Sequence, residues 1–152
     1  MSVHKIDGGP GGENNHFPKK FVTLYASVAC NRSDWVMLTS DTTNGLGASV
    51  APSNVTGNNE GAIFGIATET VAAGEEVVVQ IAGKYENANV ANSAAAFGDR
   101  LIASSTAGRA VEATTIDTTS VAAALDFTVC GIALEAASGN LADVMIKNQG
   151  YF

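Results

Sequence analysis

One stretch of this chain is written twice. Ser33-Asp34-Trp35-Val36-Met37 lies 65 residues before Gly98-Asp99-Arg100-Leu101-Ile102, and each reads small residue, aspartate, large side chain, apolar strand. Gly65-Ile66-Ala67-Thr68-Glu69 lies 66 residues before Gly131-Ile132-Ala133-Leu134-Glu135. Both copies run on through a small-residue loop to a glycine, Gly74 and Gly139, and then to a valine-containing acidic segment, 76–81 and 142–146. Between these anchors, residues 45–50 resemble 108–111. Three anchors in one order at offsets of 65 to 66 predict a duplicated unit. Two copies are too few for a solenoid, which needs about three or more. They are predicted to close on each other as an all-β fold, a small pseudo-duplicated barrel or sandwich in which each half covers the other's apolar face. The expected domain is 21–152, with related halves at about 33–82 and 98–147.

The local pattern agrees with strands. Residues 21–28, FVTLYASV, are rich in β-branched and aromatic side chains, and 35–39, WVMLT, form a second short strand. Residues 62–68 and 76–82 read as a strand pair across the loop VAAGE. Ahead of that pair, 42–61 reads as turns, with Asn44-Gly45, Gly47, Pro52 and Gly57 as punctuation. No segment carries a long apolar stripe at helical spacing. Dense alanine predicts short helical turns near 87–96 and 120–125.

Residues 1–20 differ in kind. They contain GGPGG, have no period and no apolar face, and are read as an extended, flexible N-terminal arm. His16, Phe17, Lys19 and Lys20 sit where the arm ends and are its expected contact residues. Charge divides along the same line: residues 1–32 carry +2 and residues 33–152 carry −9. An acidic body repels phosphate, so nucleic acid is not an expected partner. The longest apolar run, 121–137, is broken by Asp126 and Glu135 and is too short to span a bilayer, so no membrane association is expected. No secretory signal is read at the N-terminus, which places synthesis in a cytoplasm and leaves the sequons at Asn31 and Asn54 as chance matches. Cys30 and Cys130 read as two buried thiols, with a disulfide left open.

Catalytic chemistry has no visible seat. Both histidines, His4 and His16, lie in the arm, where no rigid shell holds them beside a nucleophile. There is no phosphate-binding loop, no HExxH and no paired-cysteine spacing, so neither a cofactor nor a metal is expected. The aspartates Asp34 and Asp99, and the glutamates Glu69 and Glu135, occupy equivalent positions of the repeat. That equivalence predicts a shared turn, with aspartate accepting backbone hydrogen bonds and glutamate facing solvent, rather than the facing carboxyl pair of a glycosidase or a calcium site. Trp35 is the sole tryptophan and is read as a core or interface anchor; Tyr151-Phe152 reads as the end of the last strand or an intersubunit latch.

Two phrases resemble a known family. VCGIALEAASGNLADVMI, residues 129–146, looks like the closing segment of the decoration (cement) proteins of tailed-phage heads, and FGDRLIASSTAGRAVEAT, residues 97–114, looks like their G-D strand and following glycine turn. With the earlier copy, the likeness touches most of 33–148. The resemblance implies a non-enzymatic virion protein on the outside of the capsid, bound to the major capsid protein, commonly as a homotrimer. It implies stiffening of the expanded shell and a terminus that reaches a neighbouring subunit. The alternative expectation is a ligand- or carbohydrate-binding β module on a virion or cell surface, with Trp35 and Tyr85 as stacking groups.

Overall fold

The computed structural model describes residues 18–41, 47–53, 63–91, 95–113 and 129–147. They form nine strands: β1 (Lys20–Ala26), β2 (Trp35–Asp41), β3 (Gly47–Pro52), β4 (Ile63–Ala67), β5 (Glu76–Asn89), β6 (Arg100–Ala103), β7 (Ala110–Glu112), β8 (Gly131–Ala133) and β9 (Leu141–Ile146). The described residues contain no helix. The strand order is β1-β3-β2-β4-β5-β9-β8-β6-β7, and β1 returns to pair with β5. That return closes the first five strands into a barrel, antiparallel except where Tyr25 and Ala26 of β1 meet Ser49 and Val50 of β3 in parallel. The second set, β5-β9-β8-β6-β7, comes back to the end of β5 through a parallel bridge between Val90 and Ala110.

β5 therefore serves both halves, and it is sharply bent. Asn89 N donates to Ser33 O (3.1 Å), Ser33 N donates to Ala67 O (2.9 Å), and Ala67 pairs with Val79. Three such steps span roughly 15 Å. The ten residues from Val79 to Asn89 would span about 33 Å in a straight strand. The fold-back sits at Gly83, whose φ of 89° an L side chain rarely adopts. A Cβ there would also lie 3.0 Å from Lys19 Cα, so a side chain would require the Lys19 backbone to give by a few tenths of an ångström as well. The buried Gln80 side chain holds the bend, donating from Nε2 to Ala82 O (3.0 Å) and Lys84 O (2.9 Å).

Two apolar clusters fill the halves. The first holds Ala26, Cys30, Val36, Val50, Phe64, Ala67, Val77, Val79 and Ile81. The second is built largely of small residues, among them Ala88, Ala95, Ala103, Ala110, Ala133 and Ala142, and it is completed by Trp35, Ile63 and Ile66 from the first half. This explains why β4 is buried along its whole length: Phe64 and Ala67 face one cluster, Ile63 and Ile66 the other. Neighbouring Trp35 and Val36 divide in the same way.

The repeat seen in sequence recurs as hydrogen bonds. Ser33 N donates to Ala67 O as Gly98 N does to Ala133 O, and Ala67 N donates to Asp34 O as Ala133 N does to Asp99 O. Ser33 and Gly98 share a positive φ, 75° and 87°. The correspondence also reaches upstream of residue 33: Ala26 N to Glu75 O matches Val90 N to Asn140 O, and Ser27 N to Val50 O matches Ala91 N to Ala110 O. β1 thus answers to the second arm of β5.

Three expectations need correction. β3 is a strand inside the stretch read as turns, because Ser49, Val50 and Ala51 pair across to β2 and the punctuating Gly47 and Pro52 stand at its ends. β5 continues to Asn89 where helical turns were predicted; pairing of Ala88 and Asn89 with β9 outweighs the helix propensity of alanine. Lys20, counted with the arm, already belongs to β1. Residues 120–125 lie outside the described residues.

Candidate functional site

The repeat-equivalent carboxylates are occupied by backbone. Asp34 Oδ2 accepts from Asn31 N (2.8 Å) and Asp99 Oδ2 from Ala96 N (2.8 Å), each closing the turn that enters its strand. Glu69 Oε1 accepts from Val78 N (3.1 Å) and Glu135 Oε1 from Asp143 N (3.1 Å). Asp34 does more than its counterpart: its Oδ1 accepts from Asn89 Nδ2 (2.8 Å), which ties the turn of the first half to the end of β5. Among the described residues no group of three or more His, Cys, Asp or Glu side chains stands placed to hold a metal ion.

Both cysteines are free, buried thiols in different clusters. Cys30 Sγ donates to Val28 O (3.3 Å), and burial, with the nearby Asp34 carboxylate, pushes its pKa up to about 11. Cys130 Sγ donates to Leu101 O (3.2 Å), and burial raises its pKa further. Burial thus favours the protonated thiol at both positions.

Trp35 is fully buried, with its indole Nε1 donating to Asn89 O (2.9 Å). Tyr85 is buried too, its hydroxyl donating to Ala67 O (3.2 Å) and lying 3.3 Å from Ser33 Oγ. Neither ring shows a face to solvent, so the pair cannot form the stacking platform that a carbohydrate module would use. Trp35 sits inside the molecule, where it fills the second cluster rather than an outer surface.

The surface features lie elsewhere. The exposed large apolar side chains among the described residues are Phe21, Tyr25, Val28, Leu38, Phe97 and Ile132, of which Phe97 at 76% and Phe21 at 53% stand out as exposed aromatics. Phe21 adjoins the exposed Lys19 and Lys20 at the start of β1. Lys84 pairs with Asp143 (2.8 Å) and, at 3.8 Å, with Glu86. The hydrogen bond from Lys84 lowers the Asp143 pKa, helped by Asn87 N, and raises that of Lys84. Of the contact residues expected from sequence, Lys19 and Lys20 come together at the bend of β5, whereas His16, Phe17, Tyr151 and Phe152 lie outside the described residues. Sequence reasoning passed over Phe21, Lys84 and Lys147. The signal for the first two was an echo of Lys20-Phe21 in Lys84-Tyr85, 64 residues on.

Comparison with known proteins bears on what such surfaces serve. A family model described as phage cement protein matches residues 33–148. No curated protein sequence matches. Among solved structures, the N base of head fiber gp8.5 of bacteriophage phi29 is similar at a TM-score of 0.56 and 20% identity, over 86% of this chain and 95% of that one. At that identity the likeness supports the fold.

Proposed function

Since this chain belongs to the phage cement protein family, a structural family of the virion, we propose that it binds the outside of an expanded capsid and stabilises the shell. The observation that carries the reading is the family match across both halves of the repeat. The fold accords with it: an all-β body with two apolar cores, its thiols held protonated and its repeat-equivalent carboxylates tied to backbone.

The partner in this reading is the major capsid protein, engaged by a homotrimer made in the host cytoplasm, with residues 1–17 reaching a neighbouring subunit. His16, Phe17, Lys19, Lys20, Tyr151 and Phe152 are the proposed contact residues. The physical work is linkage. A protein that binds the intact shell and not the burst one lowers the free energy of the intact form, and many copies make weak single contacts effective.

Co-sedimentation of the purified protein with expanded empty shells tests this, comparing the full chain with a form lacking residues 1–17. Saturable binding that weakens on truncation is expected. Absence of binding by the full chain would overturn the reading, and equal binding by both forms would remove the arm from it.

A further inference from the structure

The two halves are joined by an inserted peptide. Ser53 N donates to Trp35 O (2.7 Å), but the reciprocal bond of that antiparallel pair is replaced. Gly108, from the loop between β6 and β7, stands in the opening: its N–H donates to Ser53 O (2.9 Å) and its C=O accepts from Trp35 N (2.9 Å). The place favours glycine on two counts. Its φ is 74°, and a Cβ would fall 2.6 Å from Asp34 Oδ1, on a carboxylate already held by Asn31 N and Asn89 Nδ2.

The second half repeats the opening without the insert. Arg100 and Ala113 are the counterparts of Trp35 and Ser53, and Ala113 N donates to Arg100 O (2.9 Å). Arg100 N and Ala113 O have no hydrogen-bond partner among the described residues, and the Arg100 guanidinium has no ion pair there. Asp99 Oδ2 accepts from Ala96 N as Asp34 Oδ2 does from Asn31 N, so a residue entering here meets the same carboxylate. Ile132, paired with Arg100 across β6 and β8, is 43% exposed, whereas its counterpart Ile66 is fully buried beside Trp35. The edge that is filled and covered in the first half is open in the second.

Such an opening suits an extended segment that offers a glycine peptide, with a carboxylate for Arg100. Residues 8–13 of this chain read GGPGGE, glycines on both sides of Pro10 followed by Glu13. From Lys19 back to Gly12 an extended chain spans about 23 Å, and back to Gly8 about 36 Å, which is enough to leave one body and reach another.

We propose that the glycine-rich arm of a neighbouring copy inserts a glycine between Arg100 N and Ala113 O, pairs Glu13 with the Arg100 guanidinium and covers Ile132. The inference rests on the homotrimer of the capsid-binding reading; it adds the site that receives the arm and a reason for the glycines. The contact is strand addition reduced to one residue, in which backbone bonds hold the arm and Asp99 selects glycine. Each copy gives an arm at one surface and receives one at another, a head-to-tail contact of the kind that closes into rings.

Amide hydrogen exchange on the full chain tests this, with sedimentation velocity reporting the oligomer. Three forms are compared: wild type, Gly8→Ala/Gly9→Ala/Gly11→Ala/Gly12→Ala, and Glu13→Gln. Both variants change the arm alone, and Trp35 N–H, bonded to Gly108 O within the body, is the internal reference for folding. Arg100 N–H should exchange about tenfold or more slowly in wild type than in the alanine form, with Trp35 alike in all three. The alanine form should sediment as a monomer, and Glu13→Gln should weaken association by about threefold or more at low salt. Equal exchange at Arg100 in the wild-type oligomer and the alanine form would overturn the inference and leave the homotrimer to other contacts. Protection of Arg100 that persists when wild type is diluted to monomer would place the glycine in its own chain and overturn the exchange between copies. A wild type that is monomeric at every concentration would remove the homotrimer and the inference with it, while co-sedimentation with shells still decides the capsid reading.

Discussion

Trp35 shows how much a single side chain can decide in this fold. It belongs to a strand of the first barrel but fills the alanine-rich cluster of the second, and its indole N–H is satisfied by Asn89 O. Trp35→Ala should cost about 3–5 kcal/mol, read from urea unfolding, because neighbours on two halves cannot collapse into the space. Asp143 gives a smaller, pH-dependent effect. Its pKa is lowered in the folded state by Lys84, so its contribution is present above the unfolded carboxylate pKa and is lost as pH falls through the folded one. Asp143→Asn should therefore lower stability by at most about 1 kcal/mol at pH 7, since Lys84 is well exposed. The difference from wild type should vanish in thermal melts run below the carboxylate range. The turn roles of Asp34 and Asp99 were legible from their repeat positions, whereas the bonds that Glu69 and Glu135 accept from Val78 N and Asp143 N were not. The place of Trp35 was not, because nothing in a local pattern tells which of two cores a buried ring enters.

At the scale of elements, β5 is the organising piece, and Gly83 makes it possible. Gly83→Ala should destabilise by about 1–3 kcal/mol, since it combines a disfavoured φ with a tight approach to the Lys19 backbone. Thermal melting of the variant checks this, and a melt equal to wild type would mean the bend can be redrawn without glycine. The four strands predicted wholly or in part up to residue 82, and the repeat anchors, were readable because β-branched runs and glycine turns are local signals. β3 was hidden because Gly47 and Pro52 read as punctuation, whereas in the barrel they mark where a six-residue strand starts and stops. The second arm of β5, KYENAN, carries little β signal of its own; it is a strand because β9 pairs with it and because its counterpart is β1. Such pairing joins residues more than fifty positions apart and leaves no trace in a short window.

Taken whole, the molecule is two related halves that share one strand, and the first lends Trp35, Ile63 and Ile66 to the core of the second. Unfolding should be a single cooperative transition, with coincident fluorescence and circular-dichroism curves; separate transitions for the two halves would contradict the shared-core description. A family of structural virion proteins is where such a body belongs, and the proposed work is to add free energy to an assembled shell. The direct measurement is calorimetric melting of expanded empty shells titrated with this protein. The account predicts that the shell transition moves to higher temperature and reaches a plateau once the binding sites are full. A shell transition that stays in place while the protein is demonstrably bound would contradict it.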